Sequence, residues 1–87
     1  TMSSPSPELP HIATFHTHYG ALCFQRRLAG LGERAVLAPV PRKLSVSCGT
    51  CVRFSAPFQT GWAGEDLEAV YAQEGTDYRL LFRTEEE

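Results

Sequence analysis

The chain has 87 residues, enough for one domain with a small core, and no run nears the roughly 18 apolar residues of a membrane-spanning helix. The net charge of −2 hides an asymmetry: residues 1–53 carry six Lys/Arg and two acids, residues 54–87 two Arg and eight acids. The basic half favours an anionic thiolate or substrate nearby, and it is too sparse for a nucleic-acid surface.

Residues 1–10 hold three prolines and three serines and read as a disordered lead-in. Residues 84–87 read as an acidic tail. A single α+β domain is therefore expected over 11–83. His11 to His16 alternates as a first strand, with Ala13 and Phe15 on one face. Thr17 is placed to cap a helix in which Ala21, Phe24, Leu28 and Leu31 form an apolar stripe. Gly30 or Gly32 ends that helix, and Gly20 in its first turn marks a weak spot or a close approach to the backbone. Cys23 falls opposite the stripe and receives no chemical role.

Residues 34–38 form a second strand, stopped by Pro39 and Pro41. Residues 51–55 form a third, with Val52 and Phe54 on one face and Cys51 and Arg53 on the other. Phe58 and Trp62 in the next loop are expected at the core edge. Residues 65–73 have acids at the start and Leu67, Val70 and Tyr71 at helical spacing, which predicts a second helix closed by Gly75. Residues 78–83 form the last strand. The order β-α-β-β-α-β predicts a ferredoxin-like plait, a four-stranded antiparallel sheet with two helices on one face. In it the first and third strands lie side by side, which brings His16, His18 and the first helix's N-terminus to the start of the third strand.

Between the second and third strands lies the stretch most suggestive of chemistry, Arg42-Lys43-Leu44-Ser45-Val46-Ser47-Cys48-Gly49-Thr50-Cys51. A thiol reacts as thiolate, and its pKa falls near a cation or a helix N-terminus. Cys48 has both in prospect, through Arg42, Lys43 and the first helix. Gly49 lets the loop turn its amides toward the sulfur. Cys51 completes a CxxC spacing and can resolve an oxidised Cys48. His16 or His18 is placed to stabilise the thiolate or shuttle its proton. The alternatives are two small buried thiols at a strand start, and a zinc set of His16, His18, Cys48 and Cys51, whose spacing is looser than that of most structural zinc sites. The site reading therefore assigns no metal and no cofactor.

Ala21-Leu22, Pro39-Val40-Pro41-Arg42, Ser45-x-Ser47-Cys48-Gly49, Arg53-Phe54 and Glu65-Asp66-Leu67-Glu68 together resemble the small bacterial selenium/sulfur carrier protein-like family. The resemblance runs from Ile12 to about Leu80, and its most specific part is the Pro-Val-Pro-Arg then Ser-x-Ser-Cys-Gly run. It implies a carrier protein rather than a stand-alone enzyme, holding a persulfide or selenosulfide on Cys48. Cys51 is an addition to the family signature, and its presence suits redox work. The partners implied are sulfur or selenium donor and acceptor proteins, with no nucleic acid or membrane, and an exposed sheet edge with Trp62 leaves room for a homodimer. The competing reading is an interaction or regulatory domain with structural cysteines. An odd cysteine count and no signal-like opening lead to the expectation of a reducing cytoplasm.

Overall fold

The computed structural model describes residues 9–44, 49–62, 64 and 66–84. Its elements are β1 (His11–Phe15), α1 (His18–Gly30), β2 (Ala35–Pro39), β3 (Thr50–Phe54), a 3-10 turn (Thr60–Trp62), β4 (Leu67–Glu74) and β5 (Asp77–Arg83). Among the described residues the strands form one sheet in the order β2-β3-β1-β4-β5, with every neighbouring pair antiparallel. The expected adjacency of β1 and β3 holds, from His11 opposite Phe54 to Thr14 opposite Cys51.

The plait itself is corrected. Residues 67–74 form a strand where a second helix was expected, so the domain has five strands and one helix among its described residues. The reason lies in β1. Ile12, Ala13 and Thr14 are fully buried, so β1 needs ladder partners on both sides. Strand β3 fills one side, and Leu67 to Ala72 fill the other. A helix over the same residues would leave buried N–H and C=O groups on one edge of β1 unpaired, at about 1–3 kcal/mol each. Helix propensity offers only a few tenths of a kcal/mol per residue in return. Gly75, expected to close the helix, instead has φ +64° and sits with Thr76 in the two-residue loop of the β4–β5 hairpin. Glycine at that first position suits a type II′ turn.

Helix α1 starts and stops as its sequence directs. Thr17 caps it, its hydroxyl accepting from Gly20 N–H at 3.1 Å. At the far end Gly32 adopts φ +83°, and the N–H groups of Gly32 and Glu33 donate to Ala29 and Leu28 carbonyls at 3.0 and 2.9 Å. That pair of bonds is a Schellman motif, which needs the left-handed residue that glycine supplies.

One face of the sheet carries the core. Ala13, Phe15, Val52, Phe54, Leu67 and Val70 meet Ala21, Phe24 and Leu28 of α1, and Phe58, Trp62 and Phe82 pack against the rim. The two loop aromatics thus take the core-edge place expected of them. The second face is also covered at its centre, where Ile12, Thr14 and Cys51 are 0% exposed and Ala69 is 1% exposed. Two irregularities flank β4. Thr14 and Phe15 pair with Ala69 and Leu67, which leaves Glu68 as an extra residue. Val70 and Tyr71 pair with Phe82 and Leu80, which leaves Leu81 as an extra residue on β5.

Candidate functional site: the β2–β3 loop

The loop between β2 and β3 is pinned at its base. Pro39 pairs with Thr50, and Val40 N–H donates to the Gly49 carbonyl at 3.0 Å. A second bond, from Leu44 N–H to the Pro41 carbonyl at 3.0 Å, turns the chain around Arg42 and Lys43. Pro39 and Pro41 have no N–H to offer a further ladder, so the sheet ends there. Cys48, with Ser45 and Ser47 of the same motif, lies outside the described residues.

The other predicted residues are brought together only in part. The first turn of α1 does reach the loop's end: His18 Nδ1 lies 3.2 Å from Thr50 Oγ1. His16 instead uses its backbone N–H on the Asp66 carbonyl, at 2.9 Å. Around Gly49 an added Cβ would meet nothing within 4 Å among the described residues. Arg42 is exposed at the turn. Lys43 directs its ammonium away, donating to the Thr76 carbonyl and pairing with Asp77 Oδ1 at 3.0 Å.

Cys51 is fully buried, its Sγ 3.6 Å from the Pro39 carbonyl oxygen. Adjacent strand residues point to opposite faces, so Cys51 faces away from Thr50 and from His18. The zinc set considered from sequence is therefore split by the sheet. Among the described residues no group of three or more His, Cys, Asp or Glu side chains is gathered for a metal.

The Lys43 contact also shows how the second face is covered. The β2–β3 loop leaves the sheet at the end where β1 finishes, whereas the β4–β5 turn lies at the opposite end. For Lys43 to reach Asp77, residues 40–43 must lie across the face that holds Ile12, Thr14 and Cys51. Its ion pair is exposed, with 55% and 82% of the two side chains accessible, so it contributes less than about 1 kcal/mol. Lys43→Ala is accordingly expected to change global stability by less than about 1 kcal/mol while speeding alkylation of Cys51. Peptide-resolved iodoacetamide labelling checks this, and an unchanged Cys51 rate would show that the loop is held by other means.

Sequence reasoning missed a second cluster at the same end of the sheet. The Thr17 hydroxyl donates to the Asp66 carboxylate while accepting from Gly20 N–H. Asp66 lies so close over Gly20 that a Cβ there would sit 2.5 Å from the Asp66 Cβ. The acid expected to start a second helix thus serves the N-terminus of the first, where the dipole favours it. The signal available was Gly20, an early-helix glycine that implied a neighbour without naming it.

An antiparallel α+β domain, with one helix among its described residues and a cysteine-bearing segment between β2 and β3, is the class that fold and site define. The chain belongs to the family described as "Putative Se/S carrier protein-like", whose model matches residues 10–60, well over half of its length. That span contains β1, α1, β2, the whole cysteine loop and β3. No curated protein and no solved structure matches the chain. Among the described residues no helix is long and apolar enough to cross a membrane.

Proposed function

We propose that the protein is a thiol carrier that accepts sulfur or selenium on Cys48 and passes it on. The family match across the whole cysteine loop carries this reading. In the sulfur case the Cys48 thiolate attacks the outer sulfur of a donor persulfide, R–S–SH. The new S–S bond leaves a persulfide on Cys48, and the donor departs as R–SH. The donor is a desulfurase-like protein and the acceptor a maturation enzyme, both working in a reducing compartment. Arg42 is an exposed cation six residues before Cys48 in the chain, and His18 contacts the loop's end through Thr50. The buried position of Cys51 supports a carrier that works with one thiol.

The test is the intact mass of the protein after treatment with a sulfane-sulfur donor, with and without reductant, beside Cys48→Ser. A reductant-labile sulfur adduct is expected in the native chain and absent from the variant. An adduct that survives Cys48→Ser, or no adduct at all, overturns the reading and favours an interaction domain whose cysteines are structural.

A further inference from the structure

A cavity of about 430 Å³ opens between α1 and the loop that carries Trp62. Among the described residues its lining comes from β1, α1 and residues 62–67, and that lining is chemically ordered. Phe24 and Trp62 form an apolar wall, their rings edge-on with centroids 6.4 Å apart. Asp66 stands at one end, against Gly20. Arg27 stands at the other, seven residues further along α1, or about 10 Å of helix rise. Between them, on the same stripe, lies the exposed thiol of Cys23. Tyr19 lines the same groove four residues before Cys23, and its interaction with Cys23 holds the phenol above its ordinary pKa.

We propose that this groove binds a small peptide disulfide and that Cys23 exchanges with it to form a mixed disulfide. The charge order sets the ligand. An ammonium group meets Asp66, a carboxylate meets Arg27, and the sulfur lies midway, opposite Cys23. Three peptide residues span about 10 Å, so a tripeptide with a central cysteine fits the separation. The cavity volume falls within the range usual for small-molecule sites. In the exchange the Cys23 thiolate attacks one sulfur of the ligand disulfide. A bond forms between Cys23 Sγ and that half, the ligand S–S bond breaks, and the other half leaves as a thiolate that takes up the proton Cys23 gave. The ligand disulfide is the oxidant, so electrons balance. Cys48 takes no part, and the proposal is independent of the carrier reading.

The test uses the Cys48→Ser chain, with adducts assigned to Cys23 by peptide mass. The probes are oxidised glutathione, which carries both charges, cystamine, which carries only ammonium groups, and dithiodiglycolate, which carries only carboxylates. Each rate is divided by the rate for the same chain unfolded in urea, which removes the intrinsic reactivity of the reagent. Oxidised glutathione is expected to show the largest ratio, and Arg27→Gln to lower it about tenfold, the scale of one lost charge-assisted contact. The cystamine ratio should be unmoved by that substitution. Equal ratios for all three probes, or a glutathione ratio insensitive to Arg27→Gln, would overturn the proposal. Arg27 is exposed, so the variant is expected to fold.

Discussion

Phe54→Ala is expected to leave most molecules unfolded at room temperature. Phe54 is fully buried in β3, where its ring meets His11, Phe24 and Trp62 at centroid distances of 5.3, 5.6 and 6.4 Å. Its removal opens a cavity bounded by α1, β1 and the Trp62 loop at once. Truncating a buried phenylalanine costs about 3–5 kcal/mol, and aromatic pairs add roughly 0.5–1.5 kcal/mol each. A domain this small holds only about 3–5 kcal/mol in total. The loss therefore matches or exceeds the whole. Urea titration followed by circular dichroism checks the result, and Phe54→Leu, which keeps most of the volume, should retain a cooperative transition. A Phe54→Ala midpoint close to the native one would mean that the aromatic cluster is not where stability resides. The site is affected too, because β3 begins at Thr50 and carries the base of the cysteine loop.

Gly20→Ala should destabilise the protein, against the direction of helix propensity. Alanine is favoured over glycine inside a helix by about 0.8–1.0 kcal/mol. Here the added Cβ would lie 2.5 Å from Asp66 Cβ and 2.8 Å from Asp66 Cγ. A rotamer change cannot clear a Cβ, so the backbone of Asp66 must move. That backbone accepts from His16 N–H, and the Asp66 carboxylate holds the Thr17 cap, so both contacts are put at risk. Overpacking of this kind costs roughly 1–3 kcal/mol, which outweighs the propensity gain. For a domain of this size each kcal/mol lowers Tm by about 4–8 °C. Asp66→Gly removes the obstructing Cβ, so Gly20→Ala should cost less in that background than in the native chain. Equal costs in the two backgrounds would show that the clash is relieved elsewhere.

Much of the local order was legible in the residues. Thr17, Gly20 and Gly32 announce how α1 starts, what comes near it and where it ends, because caps and left-handed glycines act within a few residues. Ala13, Phe15, Val52 and Phe54 announce the core face by alternation. Residues 67–74 resisted reading because Glu68, Ala69, Ala72 and Gln73 carry no local preference for a strand. Their state is decided by β1, more than fifty residues earlier, which lacked a second ladder partner. The signal that was present, Glu74-Gly75-Thr76-Asp77 between two apolar runs, is a hairpin turn that also passes for a helix end. At the site, the approach of α1's first turn to the start of β3 followed from the pairing of β1 with β3. The shielding of Cys51 did not, since it depends on a loop crossing the sheet and on Lys43 meeting a turn more than thirty residues away. The groove beside Cys23 was equally hidden, for it needs Asp66 and Trp62 brought against α1 from a segment whose fold was misread.

The extra residue at Leu81 bears on how the protein behaves when concentrated. Strand β5 is an outer strand with Leu80 and Leu81 exposed, and an outer strand of seven residues would ordinarily template the growth of fibrils. The register shift beside Leu81 twists that margin, and Arg83 and the Arg79–Glu74 ion pair place charged side chains along it. A second molecule approaching edge to edge meets a kinked rim that carries charged side chains in place of a straight ladder. A single inserted residue thus works against edge-to-edge association of the chain.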